Sequence, residues 1–440
     1  MHFVILGAGP AGLQAGAEAL ALGHPVTILD PEGLGGNGLK HSLVPSKTLI
    51  RSANVLRAAA SIGNSGPPGD WQRIMEWQHQ RVDEGVRRAQ ELLKEARIIH
   101  EAGFLESPLE VVTQKTETRI RADVVIVATG SRQRTLPGLK PDGTRVWMPR
   151  VFHDLKKLPS ELAIIGAGAT GLEAAALFAS FGVFVHLYFA SDSLLPEMDG
   201  GIGDRLTASL KDLGVALCGD RRVTALAPGE MGGVRIDWTS QVGTGHDVRA
   251  RVLLAAGREP VLERASLEGL GFDLDAQGFF RVDAYGRTNV AQVYAVGDAA
   301  GAPLLANKAW SQGWWAVRDA LGMAPEKYPG PTVHAIYTHP EIAWVGETSS
   351  FRFGGEVFVP WLYESLLKDG PGPYVIVYTD ANGRLVGGEA IGSHASEMMS
   401  ALGLAISGGL SIETLGAFQP ASPSSGELLA WVAQERRLMG

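Results

Sequence analysis

Cysteine is almost missing from this chain: Cys218 is the only one in 440 residues. A single thiol excludes an intrachain disulfide and any cysteine-rich metal site. Positive charge is not in excess either. The formal net charge of −8 gives no electrostatic reason to expect nucleic acid or an anionic membrane as partner. His334 and His339 have no Cys or His neighbours at ligand spacing, so no metal site is expected. There is no nucleophile elbow and no phosphate loop ending in Gly-Lys-Ser/Thr. No apolar run reads as an integral membrane segment. The nearest, Gly171 to Ala190, contains Glu173 and is split by Gly182 into a helix-like and a strand-like half, as expected of a buried helix and strand. The first strand, Phe3-Val4-Ile5-Leu6, starts with no basic leader before it, and a cytoplasmic location is expected.

The remaining composition is that of an ordinary globular protein, with 45% apolar and 20% charged residues, in a chain long enough for two or three domains. Two segments repeat one pattern of β run, glycine-rich turn, alanine-rich helix and second β run. The first runs from Phe3 through Gly7, Gly9 and Gly12 to Val26-Thr27-Ile28-Leu29-Asp30. The second, about 160 residues later, runs from Leu162 through Gly166, Gly168 and Gly171 to Val183-Phe184-Val185-His186-Leu187-Tyr188. In such a turn the first glycine permits the bend, the second lets backbone approach a pyrophosphate, and the third lets helix pack on strand. The helix N-terminus then offers free N–H groups to phosphate. One such turn is weak evidence, because glycine turns also serve packing; two in strand–turn–helix context imply two dinucleotides. Asp30, 18 residues past Gly12, stands where a carboxylate can accept ribose hydroxyls, although a solvated strand-end acid is the plainer alternative. Two further apolar strands end in small residues, Val124 to Val127 before Ala128-Thr129-Gly130-Ser131, and Val252 to Leu254 before Ala255-Ala256-Gly257-Arg258. Such ends suit a buried strand passing close to a ligand.

Directly after the first unit comes Gly35-Gly36-Asn37-Gly38-Leu39-Lys40-His41-Ser42-Leu43-Val44-Pro45-Ser46-Lys47. This segment resembles the redox helix of the flavin disulfide reductases, the family of dihydrolipoamide dehydrogenase, glutathione reductase and mercuric reductase. The resemblance covers nearly the whole chain in order. Thr129-Gly130 and Gly257-Arg258 resemble the strands closing the two nucleotide domains, Val296-Gly297-Asp298 the second flavin-contacting motif, and Thr338-His339-Pro340-Glu341 the start of the dimerisation domain. It implies an α/β fold of two Rossmann-like dinucleotide-binding domains plus a C-terminal α+β dimerisation domain. The expected division is 1–147 and 261–328 for FAD, 148–260 for NAD(P), and 329–440 for the dimer contact.

The same resemblance makes FAD the ligand of Asp30 and places Asp298 at the flavin ribityl and phosphate region, though Asp298 could also cap a helix. It aims the helix from about Leu305, with Ala306 counted among the cofactor contacts, at the flavin. It makes Lys47 and Glu173 an ion pair beside the flavin N5; an exposed lysine and glutamate are the bland alternative, and the apolar neighbours of Glu173 argue against it. Trp310, Trp314 and Trp315 are expected to pack in the core or at a subunit interface.

Departures from the family pattern carry equal weight. The two cysteines of the family's redox helix fall at Gly38 and Leu43, neither of which can form a thiolate. In Phe418-Gln419-Pro420-Ala421-Ser422-Pro423-Ser424-Ser425-Gly426-Glu427 the family's histidine is Ser422, while Glu427 remains. A serine hydroxyl has no pKa near neutrality for acid–base work. At the end of the second unit's second strand, NAD users carry an acid, and here stands Phe189; the arginines of NADP users are missing from Ala190-Ser191-Asp192-Ser193. Asp192 would repel a phosphate and tilts the expectation to NADH. Ala169 is smaller than the residue many relatives hold over the nicotinamide face.

The leading expectation is a homodimeric FAD-dependent NAD(P)H oxidoreductase that passes electrons directly to a small-molecule acceptor other than a disulfide, with a quinone first. Dye-like compounds and metal oxyanions are the other acceptors considered. The alternatives are transhydrogenation between NADH and NADPH, and a degenerate FAD-binding paralogue without redox turnover.

Overall fold

In this computed structural model the described residues are 1–61, 69–138, 140–262, 264–324, 330–349, 351–357 and 372–435. The two β runs of the first unit, Phe3–Leu6 and Val26–Leu29, form parallel strands buried along their whole length. Continuous apolar runs are what a sheet covered on both faces requires. They lie in a five-stranded parallel sheet in the order Val293–Ala295, Val124–Val127, Phe3–Leu6, Val26–Leu29, Arg97–Ile99. A second parallel sheet follows the same plan: Ala216–Cys218, Phe184–Tyr188, Glu161–Ile165, Val252–Leu254, Val146–Trp147. The fold is therefore mixed α/β with two Rossmann-like parallel sheets, and the stretch Gly171 to Ala190 resolves into the helix Ala169–Ser180 and the strand Phe184–Tyr188. No helix among the described residues is long and apolar enough to cross a membrane.

The outer strand is supplied differently in the two sheets. Val293–Ala295 returns to the first sheet from far along the chain, whereas Val146–Trp147 enters the second from before its glycine turn. The second sheet thus draws in residues just ahead of position 148, where the division was expected. The expected division at 328/329 lies outside the described residues. Two crossing strands, Ser131–Gln133 and Arg258–Pro260, pair antiparallel and tie the units together.

From His334 onward a five-stranded antiparallel sheet takes over, ordered His334–Ile336, Glu341–Gly346, Leu385–Gly392, Tyr374–Thr379, Phe351–Glu356. Helices Ala395–Ser407, Ile412–Ala417 and Gly426–Glu435 pack against it around Met398, Met399, Leu402, Leu428 and Leu429.

Candidate functional site

The three glycines of each turn have three different physical reasons. Gly7 and Gly166 have φ of +103° and +106°, and a Cβ there would strike the carbonyl oxygens of Ala128 and Ala255. A Cβ on Gly12 or Gly171 would strike the carbonyl oxygen of the first glycine of its own turn. Gly9 and Gly168 differ: a Cβ at either has nothing within 4 Å. Protein packing explains the first and third glycine of each turn and leaves the second unexplained, and each second glycine caps a helix N-terminus, before Pro10 and Ala169. Bare backbone at a helix N-terminus, facing open space, is the arrangement that lets a phosphate approach. Gly130 (φ +73°) likewise has open space around it, and Thr129 and Gly130 follow the strand beside Gly7. Gly257 has φ +94° at the matching place in the second unit.

Asp30 is buried at the strand end. Its Oδ2 accepts the Ala8 N–H and its Oδ1 the Glu32 N–H, both at 2.8 Å. The plainer alternative of a solvated acid is excluded. The carboxylate clips the strand end to the glycine turn, and each oxygen keeps a lone pair for a sugar hydroxyl.

Asp298 is not a helix cap. It lies inside the single turn Gly297–Ala300, and the cap of helix Ala306–Ala320 is Leu305, which makes no side-chain cap bond. Asp298 accepts the Ser131 hydroxyl, which in turn accepts Arg258 Nε at 2.6 Å, and the guanidinium is 3.6 Å from the carboxylate. Burial lowers the Arg258 pKa, partly offset by Asp298. The crossing strands therefore meet at Asp298. Next to it sits Lys308, a residue that sequence reasoning missed. Its buried ammonium donates to the carbonyls of Gly301 (2.5 Å) and Gly297 (3.3 Å), and burial pushes its pKa down to about 8, with the Asp298 charge opposing. Gln312, one turn on, accepts the Gly297 N–H at 2.9 Å. Nothing in the sequence separates Lys308 from a surface lysine; only its burial does. Ala306, the first residue of the same helix, stands at the N-terminal end expected to face a ligand. Of the tryptophans, Trp315 is buried with Trp314 edge-on to it at 4.6 Å, and Trp310 is exposed.

Lys47 and Glu173 meet. The ammonium lies 2.5 Å from Glu173 Oε2, and the other carboxylate oxygen accepts the Tyr337 N–H at 3.0 Å. The Lys47 charge also lies 4.7 Å from the Tyr337 ring centroid, a cation–π distance. Glu173 is buried, so its carboxylate is held by one full charge and one N–H. Three distant segments build this centre: helix Leu43–Ser61, helix Ala169–Ser180, and the residue after strand His334–Ile336.

No thiol stands near it. Gly36 passes against the backbone of Gly9, and a Cβ on Gly38 would lie 3.3 Å from Pro10, so this segment crosses the first glycine turn. Leu43 is partly exposed at the start of the helix that carries Lys47. Cys218 is half-buried on the second sheet, where burial raises its pKa and suppresses the thiolate. Ser422 and Glu427 lie on the turn entering helix Gly426–Glu435, where Glu427 accepts the Ser424 N–H at 3.0 Å. No cluster of three or more metal-ligating side chains occurs among the described residues. His334 stacks on Trp344 at 4.6 Å instead.

The second glycine turn opens on a cleft of about 570 Å3 lined by Gly168, Ala169, Phe189, Ser191, Arg222 and Trp344, among others. Asp192 is not in the lining, and its carboxylate is held by the Gln241 side-chain amide at 3.2 Å. Arg222 was also missed by sequence reasoning, because it arrives from the strand Arg222–Pro228, more than thirty residues beyond Phe189.

A family model for pyridine nucleotide-disulphide oxidoreductases matches residues 1–313. The dihydrolipoyl dehydrogenase of Vibrio cholerae is 29% identical, covering 98% of this chain and 94% of that protein. The protein of the same name from Bacillus subtilis is 30% identical, covering 98% and 97%. Among solved structures, LpdA from Mycobacterium tuberculosis is similar over 100% of both chains, with a TM-score of 0.88 at 26% identity. The HOCl-induced flavoprotein disulfide reductase RclA from Escherichia coli is similar over 99% of both, with a TM-score of 0.84 at 20% identity, a likeness of fold alone. With its paired glycine turns and a model match over more than half its length, this chain belongs to the pyridine nucleotide-disulphide oxidoreductase family.

Proposed function

We propose that this protein is an FAD-dependent NAD(P)H oxidoreductase that hands electrons directly to a non-disulfide acceptor, with a quinone as the leading class. The carrying observation is the Lys47–Glu173 pair in a chain whose single cysteine is Cys218; the resemblance puts Gly38, Leu43 and Ser422 at the family's thiol and histidine positions. The residues fit the cofactor: open backbone at Gly9 and Gly130, spare lone pairs on Asp30, and a buried ammonium at Lys308 beside Asp298. When bound, FAD supplies acceptance of two electrons from a nicotinamide and their onward transfer.

In this reading Gly7, Gly9 and Gly12 seat the pyrophosphate, Asp30 holds the adenosine ribose, and Thr129, Gly130, Asp298 and Ala306 line the flavin end. Lys47, locked by Glu173 and Tyr337, holds a fixed positive charge where negative charge develops on reduction, with no reorganisation required. Gly166, Gly168, Gly171 and Gly257 serve the nicotinamide nucleotide, and Ala169 leaves its approach clear. Gly38 and Leu43 present a sulfur-free, apolar surface on which a planar acceptor can lie. The dihydrolipoyl dehydrogenase reaction named in the relatives turns over a disulfide, for which this chain has no thiol pair. A homodimer through the C-terminal sheet is part of the same proposal. The test is anaerobic mixing of the yellow holoprotein with NADH or NADPH and then with a quinone. Bleaching by a nucleotide and recovery on adding quinone are expected; a flavin that stays oxidised under both nucleotides sinks the proposal and favours the non-redox paralogue.

A further inference from the structure

We infer that the nicotinamide cleft selects the 2′-phosphorylated nucleotide, NADPH, and that Arg222 is the residue that does so. This rests on the reading of the cleft as a nicotinamide nucleotide site. In a strand–turn–helix unit the pyrophosphate lies at the helix N-terminus and the adenosine ribose lies beside the end of the second strand, where an acid marks a free 2′-hydroxyl and a nearby arginine marks a 2′-phosphate. Here the second strand ends at Tyr188, and the next residue is Phe189, which has no acceptor for a hydroxyl. The turn before strand Arg222–Pro228 is hydrogen-bonded directly onto that strand end. Arg221 N–H donates to the Phe189 carbonyl at 2.8 Å, and Asp220 N–H to the Ser191 carbonyl at 2.9 Å. Arg222 is thereby fixed next to the ribose end and lines the cleft together with Phe189, Ala190 and Ser191.

The two adjacent arginines have different duties. Arg221 is spent on structure: its guanidinium pairs with Asp247 at 2.9 Å and lies 4.6 Å from the Trp238 ring centroid. Arg222 is exposed, and among the described residues no carboxylate lies within ion-pair distance of it. Of the cleft-lining residues it is the sole cation. Asp192, the acid that tilted the sequence reading to NADH, stands outside the lining with its carboxylate on Gln241. Glu197 is the one acid in the lining; it lies in the turn that the Met198 N–H closes on the Leu195 carbonyl and has no hydrogen bond to the strand end comparable to that of Arg221 among those described. A guanidinium matches a phosphate dianion by paired, charge-assisted hydrogen bonds.

The experiment is calorimetric binding of NADP+ and NAD+ to the FAD-loaded protein, for the wild type, R222Q and R222K, at low and high salt. The wild type is expected to bind NADP+ about 10- to 100-fold more tightly than NAD+. R222Q should erase that ratio while changing NAD+ affinity less than about twofold, R222K should retain part of it, and salt should narrow the wild-type ratio alone. Equal loss of both nucleotides in R222Q, or a ratio unaffected by it, overturns the inference. So does failure of NADP+ to bind the wild type. Binding is read without flavin reduction, so NADP+ bound through Arg222 with no bleaching by NADPH would leave this inference standing while the oxidoreductase proposal falls.

Discussion

In the first glycine-turn unit the residue after the second strand is Asp30, whose carboxylate clips back onto the turn through Ala8; in the second unit it is Phe189, with no carboxylate to clip. The backbones of the two turns are nearly superimposable in their demands. Gly7 and Gly166 differ by only a few degrees in φ, Gly12 and Gly171 each meet the carbonyl of the first glycine of their own turn, and Gly9 and Gly168 both face open space. The turn is thus a local device, specified within a dozen residues, whereas the residues proposed for the ribose end come from different places in the two units. In the proposed sites one unit would use Asp30, directly after its own second strand, and the other Arg222, from the strand that follows the parallel sheet's last edge.

That comparison can be broken at several points. The largest effect is expected from Gly12→Val and Gly171→Val, which force a side chain into backbone carbonyls; each should cost at least about 3 kcal/mol and leave little soluble protein, as read by thermal melting. If either variant melts like the wild type, the third-glycine argument is wrong for that unit. Lys47→Met leaves the Glu173 carboxylate buried with only the Tyr337 N–H. We expect a loss of roughly 2 kcal/mol, below the usual range for a fully buried pair because Lys47 is partly exposed, and flavin reduction about 10- to 100-fold slower. Flavin content should be unchanged, and Lys47→Arg should recover part of the rate in stopped-flow traces. Gly9→Ala and Gly168→Ala should fold normally yet separate the units: the first should weaken FAD retention about tenfold and the second NADP+ affinity about tenfold, each sparing the other ligand. Loss of both ligands in either variant would merge the two sites.

Smaller effects come from single titrating groups. Lys308 has a folded pKa near 8 against an ordinary value of 10.5. Below pH 8 the burial penalty is fully present; between pH 8 and 10.5 the unfolded chain holds the extra proton, so stability rises with pH across that window. In urea titrations of the apoprotein, Lys308→Met should flatten this rise relative to the wild type. Cys218→Ser is expected to change quinone turnover by less than about twofold, because its thiol is held protonated by burial away from the Lys47 centre. A large loss of turnover in that variant would restore thiol chemistry to consideration.

Much of the fold was legible because its signals are local. Uninterrupted apolar runs such as Phe3–Leu6 and Val124–Val127 emerge as buried parallel strands, and glycine spacing marks both turns. Lys47 and Glu173 were paired through resemblance to a family, and the geometry brings them to 2.5 Å. What escaped was non-local. The burial of Lys308 depends on the loop Gly297–Ala300 folding over it, and the placement of Arg222 depends on two backbone hydrogen bonds to a strand end some thirty residues earlier. The start of the following helix was placed within one residue, at about Leu305 against Ala306, and the cap alternative for Asp298 falls because that residue sits inside the separate turn Gly297–Ala300.

Glu173 takes one partner from 126 residues before it and the other from 164 residues after it. A growing chain therefore exposes both members of the ion pair long before the amide that completes their geometry has been synthesised. Closing so long a loop is slow relative to forming either glycine turn. Retention of flavin and competence to be reduced should arise at separate times during folding, with the second reporting that the C-terminal sheet has docked.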